Sequence, residues 1–140
     1  MKKDRLYYGR PINIKGSRLD KILLKKVLDT FSSWEIEDSG LPKHNEGYIQ
    51  WKKEHGNGME YYFQEVLPNC QGGVFLRFRD GKWGAGVYAE AKFFFDRGLP
   101  VWVISPRGKI KPYNLSKAEV LSIEETRARI RDESGNPKPY

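Results

Sequence analysis

The chain has 140 residues, 39% of them hydrophobic, and a formal net charge of +7 at pH 7. That length suits one domain with one core, and seven Phe, eight Tyr and four Trp are enough to fill it, so disorder is disfavoured outside the ends. The positive charge favours an anionic partner, such as a nucleotide phosphate or a nucleic acid, but it decides neither fold nor chemistry.

Cysteine, histidine and apolar patterning argue against several classes of protein. The lone Cys70 cannot form an internal disulfide and is interpreted as a buried structural residue, and the two histidines lack the spacing of zinc ligands. No apolar stretch approaches the length of a membrane span, and the start MKKDRLYYGRP lacks the apolar core of a signal peptide. We therefore expect a cytoplasmic protein with no metal, no cofactor and no membrane partner.

The first part of the chain predicts a strand, a helix and a second strand. Residues 5–8 form the first strand, which ends at Gly9-Arg10-Pro11. After Ser17, apolar residues recur at helical spacing while lysines lie on the opposite face, which is typical of an amphipathic helix. Residues 34–36 are shorter and more polar, as an edge strand would be.

The segment from 38 to 58 is polar and weakly patterned. It is punctuated by Gly40, Pro42, Gly47, Gly56 and Gly58. We predict a long loop with one or two turns of helix, and long loops in compact domains often cover a ligand. Residues 59–67 then predict a helix that ends at the following Pro-Asn pair.

Residues 74–104 carry most of the functional information. VFLRF and LPVWVI are short apolar runs typical of buried strands, and one helix length separates them, which fits a right-handed parallel crossover. Ligands bind beyond the carboxyl ends of parallel strands, where glycine turns and helix amino ends lie. Gly81, Gly84 and Gly86 lie at that edge, and Glu90 follows in the first turns of the helix.

The C-terminal part adds a basic connection at 105–117, a last strand at 119–121 and a helix. Ser122 with Glu125 three residues later forms a capping box for a helix that ends near Arg131. We predict a single domain at residues 1–132, followed by a flexible tail at residues 133–140. The alternation of strands and helices predicts a three-layer α/β sandwich with a mainly parallel sheet of four or five strands.

Glu90 is the leading candidate for chemistry. A charged helix residue is usually solvated, but helical spacing places Glu90 on one side with the apolar Val87, Ala91 and Phe94. A carboxylate on a partly buried face needs a partner or a purpose. Successive strand residues point to opposite faces, so one tyrosine of the Tyr7-Tyr8 pair can reach the cleft and hold the carboxylate ionised, unless both are only packing aromatics.

Four segments together resemble one known family. LYYGRP, VFLRF, GAGVYAEAKFFFDRG and PVWVI resemble the nucleoside 2-deoxyribosyltransferases and their relatives, the deoxynucleoside monophosphate N-glycosidases. The likeness covers residues 6–11 and 73–104. It implies a flavodoxin-like sheet and a homo-oligomer in which one subunit covers the site of another.

The resemblance also implies roles for residues. Glu90 would be the nucleophile that attacks the anomeric carbon of a deoxyribosyl group, and Tyr7 would orient it; the chemistry is sound because a carboxylate stabilises or traps an oxocarbenium-like centre. Water would complete a hydrolase cycle and a second base a transferase cycle. Substrate contacts are expected from Gly9, Arg10, Gly84, Gly86, Val87 and Tyr88.

This chain departs from the family pattern in three places, one of which is the turn after the central strand. There Arg77, Arg79 and Lys82 stand where the family is often more acidic, which favours either a phosphorylated substrate or merely a basic surface. The aspartate that usually precedes the central strand and reads the base or ribose is missing, because EYYFQEVLPNCQGG offers only glutamates and glutamines. The loop after the first strand has Arg10, Asn13 and Lys15 in place of small residues. Arg10 is predicted either to contact a phosphate or to be solvated.

Several other residues and functions remain as alternatives. Glu60 also follows glycines, His55 is a candidate general base, and Trp51 and Trp83 are candidates either for stacking on a base or for packing. A non-catalytic module that senses or sequesters a nucleotide in the same cleft is the main alternative to the enzyme. Nucleic-acid binding is disfavoured because the lysines are dispersed and no recognised motif occurs.

Overall fold

A computed structural model of the chain describes residues 3–39, 42–55 and 59–140. The strands of the described parts are β1 (Arg5–Gly9), β2 (Glu35–Asp38), β3 (Gly72–Leu76), β4 (Val101–Ile104) and β5 (Ile110–Pro112). The α-helices are α1 (Arg18–Thr30), α2 (Pro42–His55), α3 (Met59–Tyr61), α4 (Ala85–Asp96) and α5 (Ile123–Ile130). A π-helical turn (Tyr62–Val66) continues α3, and 3-10 turns span Ile12–Ile14, Leu67–Asn69 and Leu115–Lys117.

The strands form one sheet with the order β2-β1-β3-β4-β5. The first four are parallel, and β5 is antiparallel to β4. Strand order reverses between β1 and β3, and in open α/β sheets that reversal opens a crevice beyond the carboxyl ends of the two strands. The predicted flavodoxin-like α/β sandwich with a mainly parallel sheet is confirmed.

Helices cover both faces of the sheet, and the side chains of β1 alternate between these two faces. Leu6 and Tyr8 pack with Leu23 and Val27 of α1 on one face. Tyr7 points to the other face, where it packs in a second apolar cluster with Phe94 of α4. This alternation fixes which of the two tyrosines meets α4.

Two predicted elements are wrong. The segment predicted as a long loop contains the fourteen-residue helix α2. Pro42 suits the first position of a helix. However, the segment contains Gly47 and few apolar residues, so its sequence shows no clear helical periodicity. The last strand is β5, inside the predicted connection, whereas residues 119–121 contribute only an isolated bridge between Val120 and Trp83.

Other boundaries differ by small amounts. The strand predicted at 34–36 spans Glu35–Asp38. The strand predicted to begin at residue 74 begins two residues earlier, at Gly72. The helix predicted at 59–67 changes from α to π and then to 3-10 winding. Ser122 and Glu125 form the predicted capping box. No described helix has the length and apolarity needed to cross a membrane.

The C-terminal residues, predicted as a flexible tail, contact the rest of the molecule. The Lys138 amide donates to the Ile130 carbonyl at 2.8 Å. Tyr140 donates its hydroxyl to the Arg77 carbonyl, and its ring stacks on Phe78. The tail therefore lies beside the loop that joins β3 to α4.

Candidate functional site

A cleft of about 760 Å³ opens where β1 and α4 meet. Its size falls within the usual range for small-molecule sites, roughly 300–1,000 Å³. Six residues that the sequence singled out line it, namely Tyr7, Arg10, Gly84, Gly86, Val87 and Glu90. The predicted carboxylate, tyrosine and glycine turn are therefore close together in space.

Glu90 and Tyr7 form a buried pair on the wall of the cleft. Glu90 is 7% exposed and lies on the face of α4 that packs against the sheet, and Tyr7 is fully buried. The Tyr7 hydroxyl donates a hydrogen bond to Oε2 of Glu90 across 83 positions of sequence. The carboxyl group is thus fixed in orientation by a strand residue rather than by its own helix.

Burial dominates the ionisation of Glu90. Desolvation raises its pKa from 4.5 to about 7, although the Tyr7 hydrogen bond and the positive charge of Lys15 both lower it. Near neutral pH the protonated and ionised forms therefore have similar populations. The Tyr7 hydrogen bond orients the carboxyl group and favours its ionised form, but burial opposes ionisation more strongly.

The phenol of Tyr7 stays protonated. Burial raises its pKa well above 10, and the nearby Glu90 charge raises it further. Tyr7 is therefore a permanent hydrogen-bond donor to the carboxylate. A fixed donor stabilises the ionised form without competing for the proton.

Lys15 also lines the cleft, although no role was predicted for it from the sequence. It lies half-buried in the loop between β1 and α1 and lines the same cleft as Glu90. Desolvation lowers the pKa of its ammonium, and attraction to Glu90 opposes that change. The cleft therefore holds a cation and an acid that interact through space.

Arg10 is buried rather than solvated. Its side chain is 3% exposed, Nε lies 2.6 Å from Oδ1 of Asp20, and Nη1 lies 2.7 Å from Oδ1 of Asp38. The guanidinium also lies 4.5 Å from the centre of the Tyr8 ring. A phosphate contact by Arg10 would compete with both aspartates, so its predicted role as a ligand remains a prediction.

The first turn of α4 lines the cleft. Gly84 caps the helix without a side-chain hydrogen bond, and the Ala85 amide donates to Oγ1 of Thr126 at 2.9 Å. Gly86 and Val87 are the next two residues, and amides in the first turn have no helical acceptor. Both residues line the cleft, where such amides suit an anionic or hydroxyl oxygen.

Two predicted substrate contacts, Gly9 and Tyr88, lie outside the lining of the cleft. A Cβ atom at Gly9 would lie 2.8 Å from Cδ1 of Phe75, so core packing explains the absence of a side chain there. The Tyr88 ring packs edge-on against Trp83, with 6.4 Å between ring centres. The geometry therefore gives neither residue a contact with this cleft.

The remaining candidates divide between core and surface. Trp83 is fully buried and Cys70 is buried, so both are core residues. Glu60 is exposed, and Trp51 is half-buried outside the lining of the cleft. The side chain of His55 lies outside the part of the chain that the structure describes.

Other lining residues were missed by sequence reasoning. They are Pro11, Ile12, Lys15, Ser39, Tyr48, Tyr62, Phe78, Thr126, Ile130 and Arg131. Ser39 had a usable signal because it follows the carboxyl end of β2, at the edge where ligands bind. Tyr48 lies in the segment that was expected to cover a ligand, and its ring centre is 6.2 Å from that of Tyr62.

In the described residues, no group of three or more His, Cys, Asp or Glu side chains is arranged to hold a metal ion.

Comparisons of the chain with protein-family models, with curated proteins and with solved structures found no match.

Proposed function

We propose that the cleft binds a nucleoside or nucleotide and that Glu90 cleaves its N-glycosidic bond as a nucleophile. The observation that carries this proposal is the buried Glu90 carboxyl group, hydrogen-bonded to Tyr7 on the cleft wall. A buried acid with a strongly raised pKa in a cleft is a marker of a functional site. The sequence resemblance supplies the substrate class.

The reaction needs the ionised form of Glu90. A carboxylate oxygen attacks the anomeric carbon, the bond to the base nitrogen breaks, and the base leaves with the bonding electrons and takes up a proton from solvent water. Water or the nitrogen of a second base then attacks the anomeric carbon of the glycosyl ester and loses a proton to solvent, and the bond to the Glu90 oxygen breaks to release the carboxylate. Tyr7 would hold the carboxylate in place during attack and would donate to it when the ester breaks.

Other features of the cleft support a nucleoside-sized ligand. The Tyr48 and Tyr62 rings give the lining aromatic faces on which a base could stack. The Gly86 and Val87 amides at the start of α4 suit a sugar hydroxyl or a phosphate oxygen. An aromatic patch and a set of donors within one cleft match the two chemical ends of a nucleotide.

The test is base release. Purified protein is incubated with deoxynucleosides, ribonucleosides and their monophosphates, and free base is measured by chromatography. We expect release by the wild type, none by Glu90→Gln, and unchanged release by Glu60→Gln, whose carboxylate is exposed outside the cleft. Intact-protein mass spectrometry on a slow substrate should detect a glycosyl adduct that depends on Glu90.

The nucleotide-binding module is the second candidate, and the ionisation of Glu90 favours it. With a pKa of about 7, a protonated carboxyl group can donate a hydrogen bond to a ligand without attacking it. Calorimetric binding of a nucleotide by the wild type without release of base from any substrate would establish this function. It would also reject the glycosidase proposal.

A further inference from the structure

The loop between β1 and α1 is held by its own hydrogen bonds. The amides of Lys15 and Ser17 donate to the carbonyls of Ile12 and Ile14 at 3.3 and 3.0 Å. The Gly16 amide donates to Oδ2 of Asp20 at 2.9 Å. These bonds fix the backbone on both sides of Lys15, so its side chain starts from a defined point on the cleft wall.

The charge of Arg10 is already neutralised by its neighbours. Its guanidinium is within 2.7 Å of carboxylate oxygens from both Asp20 and Asp38. One guanidinium and two carboxylates form a cluster with no net positive charge. Lys15 lines the same cleft as Glu90, and its positive charge acts on that carboxyl group.

We propose that Lys15 is a positioning residue that acts through Glu90, because its ammonium stabilises the ionised carboxylate that nucleophilic attack requires. The catalytic use of this effect rests on the proposed function, whereas the effect of the Lys15 charge on the ionisation of Glu90 does not. Burial favours the neutral acid, and a cation that lines the same cleft restores part of the ionised population. The role is electrostatic and does not require contact with the substrate.

The other groups near Glu90 do not supply this charge. Tyr7 from β1 faces it as a neutral donor, and Tyr62 from the π-helical turn is a phenol whose pKa burial raises to about 12. Ser39, after β2, lines the same cleft without a charge. Arg131, after α5, also lines the cleft, but it is exposed, where solvent screens its charge.

The first test is a titration of the ligand-free protein. Carbon-13 NMR of labelled glutamate carboxyl groups follows Glu90, whose resonance is assigned by its loss in Glu90→Gln. We expect Lys15→Met, which keeps the stem and removes the charge, to raise the Glu90 midpoint by about one pH unit. Lys15→Arg should restore it to within a few tenths of a unit of the wild type.

An unchanged midpoint in a folded Lys15→Met protein would overturn the proposal. Folding is checked by circular dichroism and by the dispersion of the other carboxyl resonances. Lys15→Arg, which keeps the charge, also separates charge from packing: a midpoint raised equally in both variants would assign the effect to packing and reject the electrostatic role.

The second test uses turnover. The rising limb of kcat/KM against pH reports the essential base of the free enzyme, and Lys15→Met should move this limb to higher pH with the plateau unchanged. A higher KM for monophosphates alone, with an unmoved limb, would show that Lys15 contacts substrate and would overturn the proposal. A shifted NMR midpoint without base release by the wild type would support the coupling and reject the glycosidase.

Discussion

At the scale of single residues, Glu90 combines two opposed requirements. Burial beside Tyr7 and Phe94 gives the carboxyl group a defined orientation, yet the same burial penalises its charge. An ionised nucleophile in this position therefore lowers the stability of the fold. Such a conflict between stability and function is common at active sites.

Replacement of Glu90 should stabilise the protein at alkaline pH. The folded pKa of about 7 exceeds the unfolded value of 4.5, so the folded state binds more protons between these values. The free energy of unfolding therefore falls as pH rises from about 4.5 through 7, by about 3 kcal/mol in all. Urea unfolding should show Glu90→Gln to be more stable than the wild type at pH 8, with a much smaller gap at pH 5.

The exposed Glu60→Gln variant is the control for this comparison, and its stability should follow the wild type at both pH values. A wild type whose stability does not fall between pH 5 and pH 8 relative to Glu90→Gln would contradict the raised pKa.

Loss of the Tyr7 hydroxyl should reduce activity in a pH-dependent way. The hydrogen bond favours ionised Glu90, so Tyr7→Phe should raise the Glu90 pKa further and misorient the carboxylate. Hydrogen bonds to charged groups contribute about 1.5–3 kcal/mol, so we expect base release to fall by roughly 10- to 100-fold at pH 7. The deficit should narrow at pH 9, as more of the carboxyl group ionises.

Tyr8 provides the matched control for this variant. It is the neighbouring residue, is equally buried, and packs on the opposite face of the sheet with α1. Tyr8→Phe should retain wild-type turnover. Equal losses in the two variants would point to a general effect of β1 packing instead of a specific contact with Glu90.

At the scale of elements, the start of α4 depends on α5. Oγ1 of Thr126 accepts from the Ala85 amide and donates to the Ser122 carbonyl, so one side chain joins the two helices. Gly84 packs tightly here, because a Cβ atom on it would lie 3.2 Å from both Phe78 and Thr126. A side chain at Gly84 would therefore crowd this junction, whether or not the turn also binds a ligand.

Thr126→Val should loosen this junction. Valine matches threonine in shape but cannot accept the Ala85 hydrogen bond, and an unpaired, partly buried amide costs about 1–3 kcal/mol. We expect a loss of that size in urea unfolding and faster hydrogen exchange at Ala85. Thr126→Ser keeps the hydroxyl and should protect the Ala85 amide as the wild type does; equal exchange in the two variants would exclude the contact.

The predictable elements are those in which local pattern and tertiary packing agree. The segment from β3 through α4 to β4 was recognisable because apolar runs flank an apolar helix, and Glu90 stood out as the charge on its buried side. α2 was missed because its sequence is polar and contains Gly47. β5 was missed because this three-residue edge strand places only Ile110 against the core, which is too little to form an apolar pattern.

The site shows the same division. Glu90 and Tyr7 were found because strand alternation and helical spacing limit where buried side chains point. Lys15 and Thr126 were not assigned to the cleft because their positions follow from how loops and helices pack, which no local period records. Arg10 resembled a surface arginine until the fold brought Asp20 and Asp38 to it.

At the scale of the whole molecule, the C-terminal residues join elements that are distant in sequence. Nδ2 of Asn13, in the loop after β1, donates to the carbonyls of Lys138 and Arg129 at 3.1 and 3.4 Å. Arg79, after β3, lies 4.7 Å from the centre of the Tyr140 ring and donates from Nε to its backbone oxygen at 3.0 Å. The C-terminal residues thus connect the loops that follow β1 and β3 at the carboxyl edge of the sheet.

Composition alone favours a mobile tail, whereas these contacts favour an ordered one, and hydrogen exchange distinguishes the two. The Lys138 amide reports the tail because it donates to Ile130. Tyr140→Ala removes the ring stacked on Phe78 and the hydroxyl bound to Arg77, together about 2 kcal/mol, so Lys138 should exchange roughly 30-fold faster. Tyr140→Phe keeps the ring and should accelerate exchange by only about 5-fold. A Lys138 amide that already exchanges at the unprotected rate in the wild type would show that the tail is mobile, as its composition predicts.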